Sequence, residues 1–559
     1  MTVDPITLEV VRNGCAAVAE EMNATLVRTA YSPNVTERRD CSCALFDAAG
    51  AMINQAETLP VHLGAMPFSV AAALDRFPPE ELAPGDGVLL NDPFAGGAHL
   101  PDLTLVTPVF DDAGDLLGIC ANRAHHADVG GATAGSVGAS SSEIYQEGLR
   151  IPPVKLVVDD ELDEDLLAVL LANVRTPDER RGDLRAQHAA NATGRRRLRE
   201  LADRIGHDTA RTAFDAVMDY SERRMRAAIE ELPDGTYRFT DRIDDDGRGN
   251  EDLPIAVAVE IDHDRVLVDF DGTAPQTNGP LNAVFAVTAS ATYYALRCLT
   301  DPDIPPNAGC YRPIDIETPS ASIVDATPPA AVVGGNLEVS QRITDAILGA
   351  IGEAMPHRSI AACQGTMNNL TFGGTDPRTE RPYAFYETEA GGFGGRVHGD
   401  GMDGVHVHMT NTMNTPIEIL ETAYPLRVER YGFRPDSGGP GRHRGGLGIR
   451  RDITIRDHHA TVSLLCERRR TPPYGIAGGE PGAVGEDRII RDGESDVVAP
   501  KTSRVLPPGT TVSVRTPGGG GYGDPTARDP DAIARDLELD KVTIEHARMA
   551  YGYEDDEDA

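Results

Sequence analysis

Six side chains between Asn91 and Gly131 are of the types that hold divalent metal ions in proteins. Histidine nitrogens and carboxylate oxygens are the usual ligands of Zn, Mn and Fe ions. No other stretch of the chain is as dense in them. They indicate a metal or catalytic site here, although single residues of these types are usually solvated loop groups. The six are Asp92, His99, Asp102, His125, His126 and Asp128.

Two predicted strands position these side chains. Residues 103–110 and 116–121 are apolar and rich in β-branched side chains, which is typical of buried strands, and residues 111–115 have the composition of a turn. An antiparallel pair joined by this turn brings the residues before the first strand and after the second to one end. Glycines at 96–97 and 130–131 border both groups, where the backbone must bend or closely approach a ligand.

Composition excludes several classes of protein. The chain has 559 residues, 40% of them hydrophobic, with a mean hydropathy of −0.29. No apolar run reaches the roughly 18 residues of a membrane-spanning helix. The N-terminus lacks the basic and apolar regions of a signal peptide. We therefore expect a soluble, cytoplasmic protein.

The charge is strongly acidic. The net charge is −36, and the chain has only three lysines, at positions 155, 501 and 541. An acidic surface with little lysine predicts a halophilic protein, adapted to a high-salt cytoplasm where screening shortens self-repulsion. The same charge argues against nucleic acid or an anionic membrane as a partner. Eight scattered cysteines without a CxxC motif do not predict a zinc ribbon or a disulfide framework.

The order of predicted elements indicates an α+β fold with several domains. The N-terminal half is expected to be helix-rich, and the C-terminal half glycine-rich and β-rich. Asp4 and Pro5 begin an amphipathic helix whose apolar stripe runs from Leu8 to Leu26. The expected regions are 1–160 with the metal site, helical 161–231, β-rich 232–345, glycine-rich 346–525, and a helical segment with an acidic tail at 526–559.

Three further motifs leave alternatives open. Residues 405–409 alternate like a strand, which would place His406 and His408 on one face, as a metal pair or as ordinary polar side chains. A formal GxGxxG match at residues 399–404 lacks a preceding strand and a following helix, so we do not interpret it as a nucleotide site. The Gly- and Ser-rich residues 135–142 are typical of a mobile lid or an ordinary linker.

Motifs for handling ATP phosphates are missing. The sequence has no GxxxxGK[ST], and none of its lysines follows a glycine. The GxSxG elbow and the HExxH motif are missing as well. If the reaction uses ATP, the residues that handle its phosphates are expected on another subunit.

Seven long motifs along the chain resemble those of one family, the hydantoinase B/oxoprolinase family. The resemblance extends over about residues 4–553. That family includes the B subunit of ATP-dependent N-methylhydantoinase, the C-terminal half of 5-oxoprolinase and the alpha subunit of acetone carboxylase. In chain order the motifs are NDPFAGGAHLPD, AHHADVGG, NVRTPDERRGDLRAQ, VDFDGTAPQTNGPLN, IPPNAGCYRPI, DSGGPGRHRGGLGIRR and TPGGGGYGDP.

The resemblance implies a set of metal ligands. Mn, Zn or Fe suits a mixed histidine and carboxylate site. Two further carboxylates would be catalytic, either as extra ligands or by orienting the ligands. The best ligands are His99, Asp102 and one of His125 or His126, and the two further carboxylates are Asp92 and Asp128.

The resemblance also implies a division of labour in a hetero-oligomer. A hydantoinase A-type partner would bind and hydrolyse ATP, and this chain would open a cyclic amide of the hydantoin or 5-oxoproline type. One alternative is an acetone-carboxylase-like alpha subunit that carboxylates a ketone. The other is a non-catalytic scaffold for the A-type ATPase. Arg39 and Arg123 are candidates for holding a substrate carboxylate or phosphate, unless they form structural salt bridges.

Overall fold

The computed structural model describes residues 3–56 and 58–554. The acidic tail expected at 555–558 lies outside these residues. The described chain is a mixture of helices and four β-sheets, which confirms the α+β class. The helices are α1 (Pro5–Thr29), α2 (Pro33–Thr36), α3 (Pro60–Arg76), α4 (Glu164–Ala172), α5 (Pro177–Ile205), α6 (His207–Glu230), α7 (Phe285–Leu299), α8 (Ala308–Tyr311), α9 (Ser340–Ala354), α10 (Ile417–Ala423), α11 (Pro530–Glu538) and α12 (Ile544–Tyr551).

The first sheet carries the predicted metal region. Its seven strands run in the order β2-β1-β5-β4-β3-β6-β7, and every neighbouring pair is antiparallel. The predicted hairpin is confirmed as β4 and β5. The strands are β1 (Cys41–Phe46), β2 (Met52–Gln55), β3 (Gly87–Leu90), β4 (Asp102–Phe110), β5 (Leu116–His125), β6 (Val154–Val158) and β7 (Glu161–Leu162).

Helices cover both faces of this sheet. The stripe of α1, including Val11, Met22 and Leu26, packs with α5 against one face. Met66 and Val70 of α3 pack against the other. Because both faces are buried, β4 and β5 consist of nearly continuous apolar side chains instead of alternating ones. The two strands lie in the middle of the sheet, so their ends have little freedom to move.

A second sheet and two buried helices follow. The sheet order is β11-β10-β9-β8, and α9 packs on β8 and β9 while α7 packs between α9 and α3. Helix α9 is preceded by a π-helical turn, Gly335–Val339, a rare conformation that is frequent at functional sites. The strands are β8 (Gly235–Asp245), β9 (Glu251–Asp262), β10 (Arg265–Asp269) and β11 (Ile314–Glu317).

The C-terminal part is built of two sheets that share one apolar core. Their orders are β13-β12-β16-β19 and β14-β15-β20-β17-β18, and Phe372, Ile453 and Val512 belong to the core between them. The strands are β12 (Asn369–Asp376), β13 (Arg381–Glu387), β14 (Leu426–Phe433), β15 (Ile449–Ile455), β16 (Ala460–Leu465), β17 (Glu486–Arg491), β18 (Glu494–Val497), β19 (Lys501–Leu506) and β20 (Thr511–Arg515).

The glycine-rich segments of this part pack on one another. A Cβ atom on Gly392 would lie 2.1 Å from the Gly446 carbonyl oxygen and 2.2 Å from the Gly519 nitrogen. Only glycine permits backbones to approach this closely. Gly401 of the GxGxxG match belongs to this backbone-packed region, where a Cβ atom would lie 1.9 Å from the Phe393 carbonyl oxygen.

Candidate metal centre

Three buried donors meet at the end of the central hairpin. The His99 Nε2 atom lies 3.0 Å from Asp102 Oδ1, and the His125 Nδ1 atom lies 3.3 Å from the same oxygen. Donor atoms of the three side chains all lie within 4.8 Å of one another. A second group with this spacing in the described chain, Asp234, Asp262 and His263, is fully exposed. The buried trio is the stronger candidate, because a protein rarely buries such groups without a partner.

The strand register places two of the donors. Asp102 is the first residue of β4 and His125 the last of β5, and the two are direct partners across the hairpin. The His125 backbone N–H also donates to the Asp40 carbonyl, which continues the sheet toward β1. His99 lies in the turn three residues before Asp102, so the backbone delivers all three donors to one point.

The donors are buried but not hydrogen-bonded. Both ring nitrogens of His99, both carboxylate oxygens of Asp102 and Nε2 of His125 have no hydrogen-bond partner in the described part of the chain. Their short mutual contacts converge on the single carboxylate of Asp102. Buried polar atoms in native proteins nearly always have a partner. A divalent cation would supply the missing partner, so these residues fit a metal site.

Protonation states support this fit. Burial alone would raise the pKa of Asp102, but the neighbouring His99 and His62 outweigh burial and hold it well below its usual range. Burial lowers the pKa of His99, which outweighs the opposing effect of Asp102. The site therefore contains an ionised carboxylate and a neutral imidazole, which are the forms that bind metals.

His126 lies on the opposite face of the sheet. Successive residues of an extended segment point to opposite sides, and the His126 Nε2 atom lies 2.9 Å from the amide oxygen of Gln187 on α5. Burial, together with Arg180, lowers the pKa of His126 to about 4. Of the two alternative histidines, the structure brings His125 to the trio and leaves His126 outside it.

Asp92 and Asp128 hold turns near the trio and do not join it. Asp92 accepts from the Phe94 backbone N–H at 3.1 Å and pairs with Arg150 at 2.7 Å. Asp128 accepts from four N–H groups, two of them from Arg175 and two from glycine backbones. Every oxygen of the two carboxylates has a partner of its own, and neither carboxylate belongs to the group of buried donors.

Sequence reasoning missed two side chains around the trio. His62 on α3 points its Nε2 atom at Asp102 Oδ2, 3.4 Å away, and at Asp40, 3.8 Å away. The Tyr386 ring at the end of β13 stacks on His125, with 4.6 Å between ring centroids. A lone histidine within the apolar helix α3 was a signal for His62. Tyr386 has no local signal, because it comes from a distant part of the chain.

A small cavity adjoins the trio. Its volume is about 10 Å³, and it is lined by His125, His62, Asp40 and Tyr386, and by Asn336 of the π-helical turn. The Asn336 side-chain oxygen is buried and has no hydrogen-bond partner among the described residues. A space of this size holds about one water molecule, so it can accommodate a water molecule but not a substrate ring.

This fold occurs in known proteins. The family model described as Hydantoinase B/oxoprolinase matches residues 4–525. The chain belongs to the hydantoinase B/oxoprolinase family. Two curated relatives are 5-oxoprolinase 1 of Arabidopsis thaliana, 38% identical, and caprolactamase subunit beta of Pseudomonas jessenii, 34% identical. The first match covers 93% of this chain and 42% of the relative, the second 99% and 96%.

The hydantoinase B-type chain therefore spans about two fifths of the length of the 5-oxoprolinase that it matches. The crystal structure of the ATP-dependent caprolactamase from Pseudomonas jessenii matches 100% of this chain and 98% of that chain, with a TM-score of 0.92 and 32% identity. The match to the nucleotide-free structure of acetone carboxylase covers 98% of this chain and 79% of that chain, with a TM-score of 0.90. The sequences are 20% identical, so this likeness is one of fold alone. In the described residues no helix is both long and apolar enough to cross a bilayer.

One buried arginine of this hydantoinase B-type chain lies close to the trio. Arg123 lies on the same face of β5 as His125, two residues away, and donates to Thr104 and Ser69. Its Nη1 atom is buried and has no hydrogen-bond partner in the described chain. Burial lowers the pKa of Arg123, against the effect of Asp102. The second arginine candidate, Arg39, is exposed and takes no part in this arrangement.

A buried carboxyl group lies behind Tyr386. The Tyr386 hydroxyl donates to Asn369 at 3.1 Å, and the Asn369 amide donates to Glu338 Oε1 at 2.7 Å. Burial raises the pKa of Glu338 to about 7, and its Oε2 atom has no hydrogen-bond partner in the described chain. A carboxyl group with a pKa near neutrality can both accept and donate protons.

One of two expectations for irregular segments is wrong. Residues 405–409 are not a strand, because His408 adopts a left-handed backbone with φ of +49°. His408 pairs with Asp345 at 3.1 Å, whereas His406 lies beside Thr412, so the two rings do not share a site. Residues 134–139 are buried, and the Ala139 N–H reaches Ser463 of β16. The first part of the Gly- and Ser-rich loop 135–142 is therefore packed into the fold, whereas Ser140 and Ser142 are exposed.

Proposed function

We propose that this chain is the metal-dependent catalytic subunit of an ATP-dependent cyclic-amide hydrolase. Its substrate would be a lactam of the hydantoin or 5-oxoproline type, and an A-type partner would hydrolyse ATP. The buried, hydrogen-bond-free trio of His99, Asp102 and His125 carries the proposal. Names of the relatives support it, because they include a 5-oxoprolinase and a caprolactamase subunit.

A Mn, Zn or Fe ion held by the trio would polarise the amide carbonyl and lower the pKa of a bound water. The protein side chains supply the remaining parts. Asp102 provides the negative charge that a cation needs, and His62 holds its second oxygen from 3.4 Å. The Tyr386 ring stacked on His125 closes one side of the site and keeps bulk water out.

Two further residues would bind the anionic group of the substrate and exchange protons. The free Nη1–H of Arg123 is a donor for an anionic group, such as the carboxylate or phosphate of an activated amide. Glu338 lies one amide group away from the Tyr386 hydroxyl and has a pKa suited to proton exchange near neutral pH. We assign Arg123 to anion binding and Glu338 to proton exchange through Asn369 and Tyr386.

The test combines metal content with activity. Protein purified without an affinity metal column is analysed by elemental mass spectrometry, beside the double variant His99→Ala/Asp102→Ala. We expect about one metal ion per chain in the natural protein and a loss of metal in the variant, because the trio supplies the ligands. His126→Ala is the matched control, since His126 is equally buried on the opposite face, and we expect it to keep the metal.

Activity then separates catalysis from scaffolding. The chain is combined with an A-type partner, and ATP-dependent ring opening of 5-oxoproline, hydantoin and caprolactam is measured. Full activity in the metal-free double variant would contradict the proposal and favour a scaffold role. Ketone- and bicarbonate-dependent ATP hydrolysis without ring opening would favour a carboxylase. We keep to hydrolysis, because the match to acetone carboxylase is one of fold alone.

A further inference from the structure

A pocket of about 350 Å³ opens between α3 and α7, apart from the metal centre. Its volume lies in the range of small-molecule sites, about 300–1,000 Å³. Helix α7 supplies Ser290, Tyr293, Tyr294 and Arg297 to its wall. Neither the trio nor Tyr386 lines it, so the pocket is a separate feature of the surface.

One layer of chain separates this pocket from the metal centre. In residues 58–61, Thr58 and Pro60 line the pocket, whereas Leu59 and Val61 line the small cavity at the trio. Thr58 and Leu59 lead into α3, and Pro60 and Val61 form its first turn, so the side chains of this corner are divided between the two sides. The same segment is therefore the floor of the pocket and the roof of the metal centre.

A second segment completes the wall in the same way. Asn411 lines the pocket, and its neighbours Thr410 and Thr412 line the small cavity. The two segments are joined by hydrogen bonds from Val61 N–H to the Met409 carbonyl at 3.2 Å and from the Asn411 amide to the Thr58 carbonyl at 3.3 Å. Further hydrogen bonds, from Thr58 to Ser42 and from Ser290 to the Pro60 carbonyl, tie the wall to its surroundings, so opening it requires a concerted movement of both segments.

The metal centre needs such an opening. His99, Asp102 and His125 are at most 2% exposed, and the adjoining cavity of about 10 Å³ holds one water-sized group. A five-membered ring does not fit there. The pocket on the other side of the wall has room for one.

Arg297 gives the pocket its chemical preference. Its guanidinium is half-buried and donates to the Ile304 carbonyl at 2.9 Å and to Cys310 Sγ at 3.6 Å. Within residues 3–56 and 58–554 no carboxylate lies within ion-pair distance of it, although most arginines of this acidic chain are paired. A guanidinium with free N–H groups matches the two oxygens of a carboxylate.

The other walls suit a small flat ring. The Tyr293 and Tyr311 rings stack at 4.1 Å with 13° between their planes, which gives the pocket a flat apolar side. Gln55 lines the pocket, and its side-chain oxygen is buried without a hydrogen-bond partner in the described chain. Rotation of this side chain would present an acceptor to the N–H of a lactam.

We propose that this pocket binds the substrate before it reaches the metal centre, and that Arg297 selects a small lactam that carries a carboxylate. The proposal rests on the proposed function for the identity of the substrate. The pocket itself can be tested by binding alone, without turnover.

The first experiment is calorimetric titration of the full chain with 5-oxoproline and with 2-pyrrolidinone, the same ring without the carboxylate. We expect 5-oxoproline to bind about 10–100-fold more tightly, the effect of one hydrogen-bonded charge. Arg297→Met should remove this preference. Arg312→Met is the matched control, because Arg312 directly follows α8 but pairs with Asp219 and Glu222 outside the pocket. We expect this variant to bind both lactams as the natural chain does.

A second arm locates the ligand. The His99→Ala/Asp102→Ala variant should bind 5-oxoproline as the natural chain does, since the pocket lies on the other side of the wall. Loss of binding in that variant, with Arg297→Met unaffected, would overturn the proposal and place the ligand at the trio. If the folded protein bound the two lactams equally tightly, or bound neither of them, the proposed selection by Arg297 would be overturned. Metal content decides the proposed function separately.

Discussion

At the scale of single residues, Asp102 is the point where the charges of the site meet. It contacts His99 and His125 through one oxygen and His62 through the other. Three imidazoles around one buried carboxylate leave it ionised, as its lowered pKa indicates. A ligand carboxylate held on both sides is fixed in orientation, and such orienting contacts are part of a metal site.

His62→Ala should weaken metal binding without removing the trio. We expect an affinity about 10–100-fold lower, the usual effect of losing a group that orients a ligand. The measurement is competition with a chelator, followed by elemental analysis. His398→Ala, an exposed histidine far along the chain, is the control. Unchanged affinity in His62→Ala would mean that Asp102 is held by the hairpin alone.

Glu147 should make stability depend on pH. Burial raises the pKa of Glu147 from 4.5 to about 8, although it accepts from the Val332 and Val333 N–H groups. The folded chain then binds this proton more tightly than the unfolded chain. The free energy of unfolding therefore falls as the pH rises from about 4.5 to about 8.

Glu147→Gln keeps an oxygen acceptor but cannot ionise. We expect the fall in Tm between about pH 5.5 and about pH 8 to be smaller in this variant than in the natural chain, because one titration is removed. Glu143→Gln, on an intermediate-exposure residue of the same segment, serves as the control. A Tm change in Glu147→Gln as large as in the natural chain would show that other groups cause the pH dependence.

At the scale of elements, the hairpin could be predicted and its surroundings could not. Apolar runs and a turn sequence fix β4 and β5 locally, and antiparallel pairing then brings Asp102 to His125. His125 and His126 point to opposite faces of the sheet, and only one face carries Asp102 and His99. The sequence does not show which of the two histidines shares that face until the last residue of β5 is known. His62 and Tyr386 reach the site through tertiary packing; the lone histidine in an apolar helix marks His62 without telling where it packs, and Tyr386 has no local signal. His408 escaped prediction because a left-handed residue interrupts an alternating sequence.

Gly64→Ala should disturb the contact between the helix that carries His62 and α7. A Cβ atom there would lie 2.6 Å from the Ser290 Cα atom. We expect a loss of about 1–3 kcal/mol in the free energy of unfolding, as overpacking usually costs, measured by urea denaturation. Gly432→Ala, where nothing lies within 4 Å of the new atom, is the control. Equal stabilities would mean that α3 and α7 can move apart freely.

At the scale of the whole molecule, the charge of −36 is the dominant property. Many of its acids pair with arginine, and buried pairs such as Arg451 with Glu387 lie within the fold. The unpaired excess lies on the surface, where it repels itself and destabilises the compact state. Added salt screens this repulsion, because the Debye length falls from about 10 Å at 0.1 M to about 3 Å at 1 M ionic strength.

Stability should therefore rise with salt. We expect Tm to increase by several degrees or more between about 0.1 M and about 1 M KCl, since about 1 kcal/mol raises Tm by about 2–4 °C in chains of 150–250 residues. Sucrose at equal osmolality is the control, because it acts by exclusion from the surface without screening charge. A Tm that does not change or that falls with KCl would contradict the halophilic prediction.

The positions of the three donors also order events during synthesis. His99, Asp102 and His125 leave the ribosome almost together, whereas Tyr386, which closes the site over His125, follows about 260 residues later. At about 5–20 residues per second this interval lasts roughly 13–50 s. In the metal site that we propose, a growing chain would present the three donors to the metals of its surroundings before it could bury them. The ion held by such a site would depend on what is available in that interval as well as on the geometry of the site.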